Sequence, residues 1–169
     1  GLESVAIHGM ALEAFTTAGG LGTMCDTYAG VVEQLTYKTM RYPGHCQYMK
    51  FLLEEMHLRD QPELAVELLE NACPPVPEDV VYVYASVTGL LDNKLSTDQF
   101  VAAYRPLEIA GQVWRAIAWT TAASVVGVVE LVAQGKLPRR GFLKQEQIPL
   151  EYLFATSSGQ LFQVGQGAA

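Results

Sequence analysis

The chain has 169 residues, of which half are hydrophobic and 17% are charged, and its net charge is −7 at neutral pH. This length suits one well-buried domain, and the composition is typical of a globular protein rather than a disordered one. The acidic balance argues against a nucleic-acid-binding surface, which needs clustered Lys and Arg. No positively charged, apolar leader opens the chain, so we expect no secretory signal.

The three cysteines, Cys25, Cys46 and Cys73, are odd in number and lack the CxxC spacing of a metal or redox site. This pattern favours free thiols in a reducing compartment, and therefore a cytoplasmic protein. We expect all three to be small buried hydrophobic residues. A Cys/His metal site would need more ligands than the sequence places near His45 and Cys46, so no metal is expected.

The N-terminal third begins with a predicted hairpin, in which two apolar segments flank His8-Gly9. The second of these segments runs into the glycines at 19, 20 and 22. A glycine-rich turn that opens a helix can present backbone N–H groups to a ligand, or it can serve only to reverse the chain sharply. The residues leave both readings open, although the GxGxxG dinucleotide fingerprint is absent. A short helix at 23–28 is predicted to follow.

Residues 31–40 alternate Val, Leu and Tyr with Glu, Thr and Lys, which predicts a strand. Pro43-Gly44 ends it, and apolar residues at helical spacing predict a helix at 47–56. Arg41, Tyr42 and His45 therefore flank a strand-to-helix corner, a position where side chains are free to serve a ligand.

The rest of the chain is predicted to be mostly core. Residues 79–91 and 94–105 form a hairpin about Asp92-Asn93, and the first of these strands is apolar enough to be central and covered on at least one face. The other predicted elements, in chain order, are a helix at 62–72, one long helix at 107–134 that is expected to be the most buried of the domain, a short helix or turn at 149–154 and a small strand at 160–163.

This order of elements predicts an α+β fold of two layers, a mostly antiparallel mixed sheet with helices mainly on one face. Residues 1–169 are expected to form a single substrate-binding or dimerisation domain. One face of the sheet is left to be buried against another chain or against a domain outside these residues.

Four segments resemble the C-terminal domain of the saccharopine dehydrogenase family, in particular its bacterial lysine 6-dehydrogenase-like members. They are residues 15–53 (FTTAGGLGTMCDTYAGVVEQLTYKTMRYPGHCQYMKFLL), residues 119–123 (WTTAA), residues 128–135 (VVELVAQG) and residues 141–150 (GFLKQEQIPL). The resemblance covers nearly the whole chain, and the Arg-Tyr-Pro-Gly-His segment is its most specific part.

The resemblance implies a fold like the C-terminal domain of glyceraldehyde-3-phosphate dehydrogenase. It also implies hydride transfer between NAD or NADP and the amine of a lysine- or saccharopine-like amino acid. Family members bind the cofactor on an N-terminal Rossmann half, which these residues do not contain. We therefore expect a homodimer that is inactive without that half, with no membrane and no nucleic acid as partner. The alternative is a non-catalytic ligand-binding or dimerisation module.

For the dehydrogenase, Arg41 is the candidate for pairing with the substrate carboxylate, because its planar fork can bind two oxygens. His45 is the first candidate for proton transfer and Tyr42 the second, while a purely structural role for His45 at the helix start stays equally open. The remaining predicted substrate-binding residues are Thr16, Thr17, Gly19, Gly20 and Thr120. The hydroxyl of Thr120 has a default alternative, a hydrogen bond to a carbonyl of its own helix.

Overall fold

The structure is a computed structural model that describes residues 1–17 and 20–165. Small antiparallel sheets alternate with helices, which confirms the α+β class. The chain divides into two compact units, Gly1–Pro75 and Val76–Ala169, and each is described by itself below. That the 169 residues act as one substrate-binding and dimerisation domain stays a prediction.

The first unit is built on a three-stranded antiparallel sheet. Its strands, in their order across the sheet, are β1 (Glu3–Ile7), β2 (Met10–Phe15) and β3 (Thr39–Arg41). His8 and Gly9 join β1 to β2 with positive φ angles of 49° and 76°. Such angles are typical of a two-residue hairpin turn that matches the twist of its strands. The predicted hairpin is confirmed. Ile7, Leu12 and Ala14 share one face of the sheet and are buried there.

The strand predicted at 31–40 is wrong over most of its length, because only its last two residues are in β3. The reason lies in the partner strand. β2 ends at Phe15, which pairs with Thr39, so the residues before Thr39 have no neighbouring strand in the part of the chain that the structure describes. Alternation of apolar and polar residues suits a half-buried strand, but a strand also needs an edge to pair with. Val31 and Val32 are exposed as a result.

The first unit also contains helices, joined by turns and irregular segments. They are α1 (Met24–Thr27), α2 (His45–Lys50), a π-helical turn (Phe51–Glu55), a 3₁₀ turn (Leu58–Asp60) and α3 (Pro62–Ala72). The helices predicted at 23–28 and 62–72 are confirmed, and α3 begins with Pro62 in its first turn, where the missing N–H of proline costs nothing. The helix predicted at 47–56 exists, but it begins at His45 and widens to π geometry in its second half.

The second unit contains two hairpins and three α-helices among its described residues. These are β4 (Val81–Leu91) with β5 (Lys94–Tyr104), β6 (Leu107–Ile109) with β7 (Gln112–Trp114), and the helices α4 (Ala116–Ala133), α5 (Leu150–Phe154) and α6 (Ser157–Val164). The β4–β5 hairpin is confirmed, with Asp92 and Asn93 at positive φ in its turn. A central, covered position for β4 is wrong: its only neighbour within the described residues is β5, and both strands are exposed from residue 83 to residue 100.

Two further predictions in this unit are wrong. Residues 107–114 do not begin the long helix, because Ala110 and Gly111 take positive φ angles of 53° and 78° and close the β6–β7 hairpin. Residues 160–163 lie in α6 rather than in a strand. There, the Thr156 side chain accepts a hydrogen bond from the Gly159 N–H and caps the helix, which is a local helix-start signal.

Helix α4 is buried along one stripe, and it has more buried residues than any other helix in the described part of the chain, which confirms the expectation that it is the most buried one. Its buried residues recur every three or four positions: Ala116, Trp119, Ala123, Gly127 and Leu131. By length and composition alone the helix is apolar enough to cross a membrane, with a mean hydropathy of 1.7 and 33% of its length buried within the protein. A core helix in a soluble protein can meet the same criteria.

Trp119 is the centre of the core of the second unit. It is 2% exposed, and it packs with Tyr104 edge-to-face at 5.5 Å and with Phe162 at 5.4 Å between ring centroids. Its indole N–H donates a hydrogen bond of 2.8 Å to the Arg105 carbonyl oxygen. Helix α4, strand β5 and helix α6 are therefore joined at one side chain.

The cysteines are free thiols, as expected, but they are not all buried. Cys25 and Cys73 are exposed, and Cys46 is half-buried. Cys25 lies in the short α1, which has no buried residue. Cys73 follows the last turn of α3, so neither position reaches a core.

Candidate active site at the β3–α2 corner

The candidate site is the β3–α2 corner, residues 41–46, where the chain passes from the end of β3 into α2. Gly44 precedes the helix with a φ of 94°, a left-handed conformation that glycine adopts without strain. The ring of Tyr48 packs over it, and a Cβ at Gly44 would lie 2.9 Å from Tyr48 Cε2. The left-handed turn therefore favours glycine here, and a larger residue would also displace the exposed Tyr48 ring.

Glu13 of β2 holds the corner in place. Its Oε2 accepts a hydrogen bond of 2.8 Å from the Gly44 N–H, and its Oε1 accepts one of 2.6 Å from the Cys46 N–H. The side chain is 9% exposed and lies on the sheet face opposite the apolar core. These hydrogen bonds lower the pKa of Glu13 below its ordinary value of 4.5, and the one from the Cys46 N–H has the larger effect. The carboxylate thus stabilises the positive end of α2.

His45 is placed by stacking. Its ring lies nearly parallel to the Phe15 ring, with 5.7 Å between centroids and 16° between planes, and its backbone N–H donates to the Tyr42 carbonyl oxygen. The imidazole is half-buried, and no hydrogen bond to its ring nitrogens is found in the described part of the chain. The stacking on Phe15 therefore orients the ring, and its nitrogens are available to a ligand. An imidazole can take up or release a proton near neutral pH, so this position suits proton transfer.

Arg41 lies at the same corner, directly across from Glu13 in the β2–β3 ladder. Its guanidinium is exposed and donates through Nη1 to the neighbouring Met40 carbonyl oxygen at 2.8 Å. Within residues 1–17 and 20–165, no carboxylate forms an ion pair with it. Glu13, the nearest candidate by register, is occupied by the two backbone N–H groups. The cation is therefore free to bind an anion.

The predicted threonines do not share the corner. Thr16 and Thr17 are exposed beyond Phe15, which pairs with Thr39, whereas Arg41 pairs with Glu13 at the other end of β3. Thr16 lies three residues along the chain from Glu13, the partner of Arg41, a span of roughly 10 Å along the sheet. The register therefore divides the predicted carboxylate site into two groups.

The structure describes one of the two glycines that were predicted to bind substrate. Gly20 has a φ of 94°, and a Cβ there would overlap the Tyr37 ring, so close packing already accounts for a glycine at this position. Gly19 lies outside the described residues.

Tyr42 and Cys46 complete the corner without an evident catalytic arrangement. The Tyr42 side chain is 67% exposed. Burial raises the pKa of the Cys46 thiol above its ordinary value of 9.0, and the neighbouring Glu13 raises it further. Cys46 is therefore the neutral thiol near pH 7, which makes it a poor nucleophile.

Thr120 lies in the second unit, on α4. Its hydroxyl donates a hydrogen bond of 2.8 Å to the Ala116 carbonyl oxygen, so the default expectation for this threonine is confirmed. A role for Thr120 in substrate binding stays a prediction.

Two carboxylates in the second unit repeat the arrangement of Glu13. Asp79 accepts hydrogen bonds from the Ala116 and Ile117 N–H groups at the start of α4, at 2.6 and 2.9 Å. Glu130 accepts from the Ser157 N–H, the Ser158 N–H and the Ser158 hydroxyl at the start of α6, at 2.9, 3.1 and 2.5 Å. The Ser158 hydroxyl is the largest cause that lowers the pKa of Glu130.

Sequence reasoning missed Glu13, although one signal was present. Glu13 is the only charged residue of the strand segment MALEAF, and it lies between Leu12 and Ala14. A lone carboxylate within an apolar strand needs a partner. The sequence does not say that the partner is a helix start 31 residues later.

Other kinds of site have less support. No three His, Cys, Asp or Glu side chains come together to hold a metal ion in the part of the chain that the structure describes. An open, mostly apolar groove of about 350 Å³ lies in the second unit, lined by Trp114, Ala118, Trp119, Ala122, Val126 and Leu161 among others. It presents no ionised side chain. No family model matches the sequence, and no solved structure matches the fold.

Acid is expected to destabilise the protein through two of these carboxylates. Because the pKa values of Glu13 and Glu130 are lower in the folded protein than their ordinary 4.5, their stabilisation is complete above that pH and is lost as the pH falls below it, through the lower pKa values of the folded protein. Urea unfolding between about pH 7 and about pH 3 should show the free energy of unfolding falling over the lower part of this range.

Matched variants assign that effect to the two carboxylates. Glu13→Gln and Glu130→Gln should each destabilise the protein at neutral pH and flatten its acid dependence. Glu67→Gln, on an exposed position of α3, should do neither. An acid profile that Glu13→Gln and Glu130→Gln leave unchanged would contradict the assignment.

Proposed function

We propose that this chain is the substrate-binding and oligomerising half of an NAD(P)-dependent oxidoreductase that acts on the amine or imine of a lysine- or saccharopine-like amino acid. The observation that carries the proposal is the β3–α2 corner. It presents an oriented imidazole, His45, and an unpaired guanidinium, Arg41, from a turn fixed by Glu13. The proposal includes the two-layer fold of the glyceraldehyde-3-phosphate dehydrogenase C-terminal domain and a cytoplasmic location.

The two side chains suit two separate demands of this reaction. An amino-acid substrate carries a carboxylate, which Arg41 can pair with through two parallel N–H groups. Oxidation of the amine removes a hydride from carbon and a proton from nitrogen, and His45 can accept that proton. NAD or NADP, bound by a separate N-terminal Rossmann domain, would supply the hydride acceptor. Tyr42 stays the second candidate for proton transfer.

The test compares two forms of the protein. One joins this chain in frame to an N-terminal Rossmann domain, and the other consists of residues 1–169 alone. NADH or NADPH formation is followed by absorbance at alkaline pH with lysine, saccharopine and related diamino acids. Turnover by the joined form and none by the chain alone is the expected result. Cofactor binding without turnover on any of these amines would contradict the proposal.

A second candidate function is a non-catalytic dimerisation or ligand-binding module. The exposed β4–β5 hairpin favours it, because an apolar surface of this kind serves association whether or not the corner does chemistry. Self-association together with the absence of turnover would favour the second candidate over the first.

Arg41→Ala is expected to raise KM for the amino acid by about 10- to 150-fold in the joined form, since a hydrogen-bonded charge contributes about 1.5–3 kcal/mol to binding. The kcat should change much less, because the carboxylate does not react. Arg59→Ala is the matched control, because the Arg59 guanidinium is exposed like that of Arg41 but is already paired with Glu54. An unchanged KM in Arg41→Ala would remove Arg41 from the site.

A further inference from the structure

Most of the β4–β5 hairpin is exposed, and within the described residues each of its strands has only the other as a neighbour. Its base is buried at Ala102 and Tyr104, whereas every residue from 83 to 100 is exposed. Near its tip, Leu90 and Leu95 face each other across the ladder and are 75% and 76% exposed. Long, exposed hairpin edges tend to pair with another strand, since each edge carries unpaired backbone groups.

The register identifies which backbone groups are free. Leu91 and Lys94 flank the two-residue turn, and the residues that close such a turn exchange hydrogen bonds with each other. Because hydrogen-bonded pairs alternate with non-bonded pairs, Ser96 and Asp98 also face β4, whereas Leu95, Thr97 and Gln99 direct their N–H and C=O groups to the open edge of β5. The Gln99 N–H donates to its neighbour Asp98 Oδ1 instead of to β4, in agreement with this assignment.

The two edges of the hairpin differ in charge. Residues 81–91 of β4 contain no charged side chain, so nothing on that edge would select one pairing register over another. On β5, Lys94 and Asp98 share one face of the hairpin, four residues apart. The segment Lys94-Leu95-Ser96-Thr97-Asp98 is therefore complementary in charge to its own antiparallel copy.

We propose that two copies of this chain pair through the open edges of β5, antiparallel, about a two-fold axis at Ser96. Lys94 of each copy then lies opposite Asp98 of the other, and Leu95 lies opposite Thr97. Opposite charges that face each other across a ladder stabilise it and fix its register. The hairpins form one four-stranded sheet in the order β4-β5-β5-β4. This inference deepens the oligomerising part of the proposed function and does not depend on the dehydrogenase chemistry.

Charge reversal tests the register. Sedimentation of residues 1–169 over a wide range of concentrations should show reversible dimers. Lys94→Asp and Asp98→Lys should each weaken dimerisation by about tenfold or more, because like charges then face each other. The double variant K94D/D98K should restore it, because the swap recreates both pairs. Circular dichroism of each variant checks that the hairpin is still folded.

Cross-linking tests the position of the axis. In a background with Cys25→Ser and Cys73→Ser, Ser96→Cys should form a disulfide between copies on mild oxidation. Residues opposite each other in a non-hydrogen-bonded pair have Cα atoms about 4.5 Å apart, within the range that a disulfide spans. Ser86→Cys, exposed on β4, is the matched control and should not cross-link.

A chain that stays monomeric would overturn the inference. So would a dimer that the single charge variants leave intact, or one that the double variant fails to restore. All of these measurements are made without cofactor or amino acid, so their failure would leave the turnover assay of the proposed function untouched.

Discussion

Trp119→Ala is expected to lower the free energy of unfolding by about 3–5 kcal/mol, the range for removing a fully buried aromatic side chain. The cavity would open between Tyr104 and Phe162, whose rings now pack on the indole. It would also leave the Arg105 carbonyl oxygen without its donor. Urea unfolding followed by circular dichroism measures the loss.

Two variants separate the causes. Trp119→Phe keeps most of the volume but removes the indole N–H, so we expect an intermediate loss of about 1–3 kcal/mol from the unpaired carbonyl and the smaller ring. Trp114→Ala is the matched control, because Trp114 is 46% exposed and should contribute much less. If Trp119→Ala unfolded no more easily than Trp114→Ala, the core described for the second unit would be wrong.

His45→Ala is expected to lower kcat by about 10²- to 10⁴-fold in the form joined to a Rossmann domain, the usual contribution of a general acid or base. The limb of the pH–rate profile that reports the free base should disappear with it. This expectation depends on the proposed function and on the orientation of the ring by Phe15.

The readouts distinguish proton transfer from a structural role. If His45 only supports the start of the helix, its replacement would lower the stability of the protein but leave that limb of the pH–rate profile in place. His57→Ala, an exposed histidine outside the corner, should leave kcat unchanged. Tyr42→Phe should have a small effect if His45 carries the proton. The reverse result, a large loss in Tyr42→Phe and none in His45→Ala, would transfer the role to Tyr42.

Features that depend on neighbouring residues were predictable from the sequence. The turns at His8-Gly9 and Asp92-Asn93 each contain residues that tolerate positive φ, and both hairpins formed. Pro62 marked the start of α3 for the same kind of local reason.

Features that depend on distant partners were not predictable. Residues 31–38 have the alternation of a strand, but β2 ends before it could pair with them. Residues 107–114 have an apolar pattern compatible with a helix, yet the left-handed Ala110 and Gly111 close a hairpin there. Alanine rarely adopts a positive φ, so nothing at Ala110 signalled the turn in advance.

The candidate site shows the same division. The corner at Arg41, Tyr42 and His45 could be located, because Pro43 and Gly44 mark the end of a strand and the start of a helix. The stacking of His45 on Phe15 and the anchoring by Glu13 could not, because both join β2 to a segment about 30 residues later. The β2–β3 register places Thr16 and Arg41 toward opposite ends of β3, and a shared role in substrate binding stays a prediction.

The three carboxylate caps bear on the order in which the chain can assemble. Helices α2, α4 and α6 each begin at backbone N–H groups satisfied from 27 to 38 residues away, by Glu13, Asp79 and Glu130. Helix α6 also has a local cap in Thr156, whereas α2 and α4 gain their cap only after a long loop has closed. A peptide cut between Glu13 and α2, or between Asp79 and α4, would lose the cap of that helix, so the formation of these two helices is coupled to the folding of other elements of the same unit.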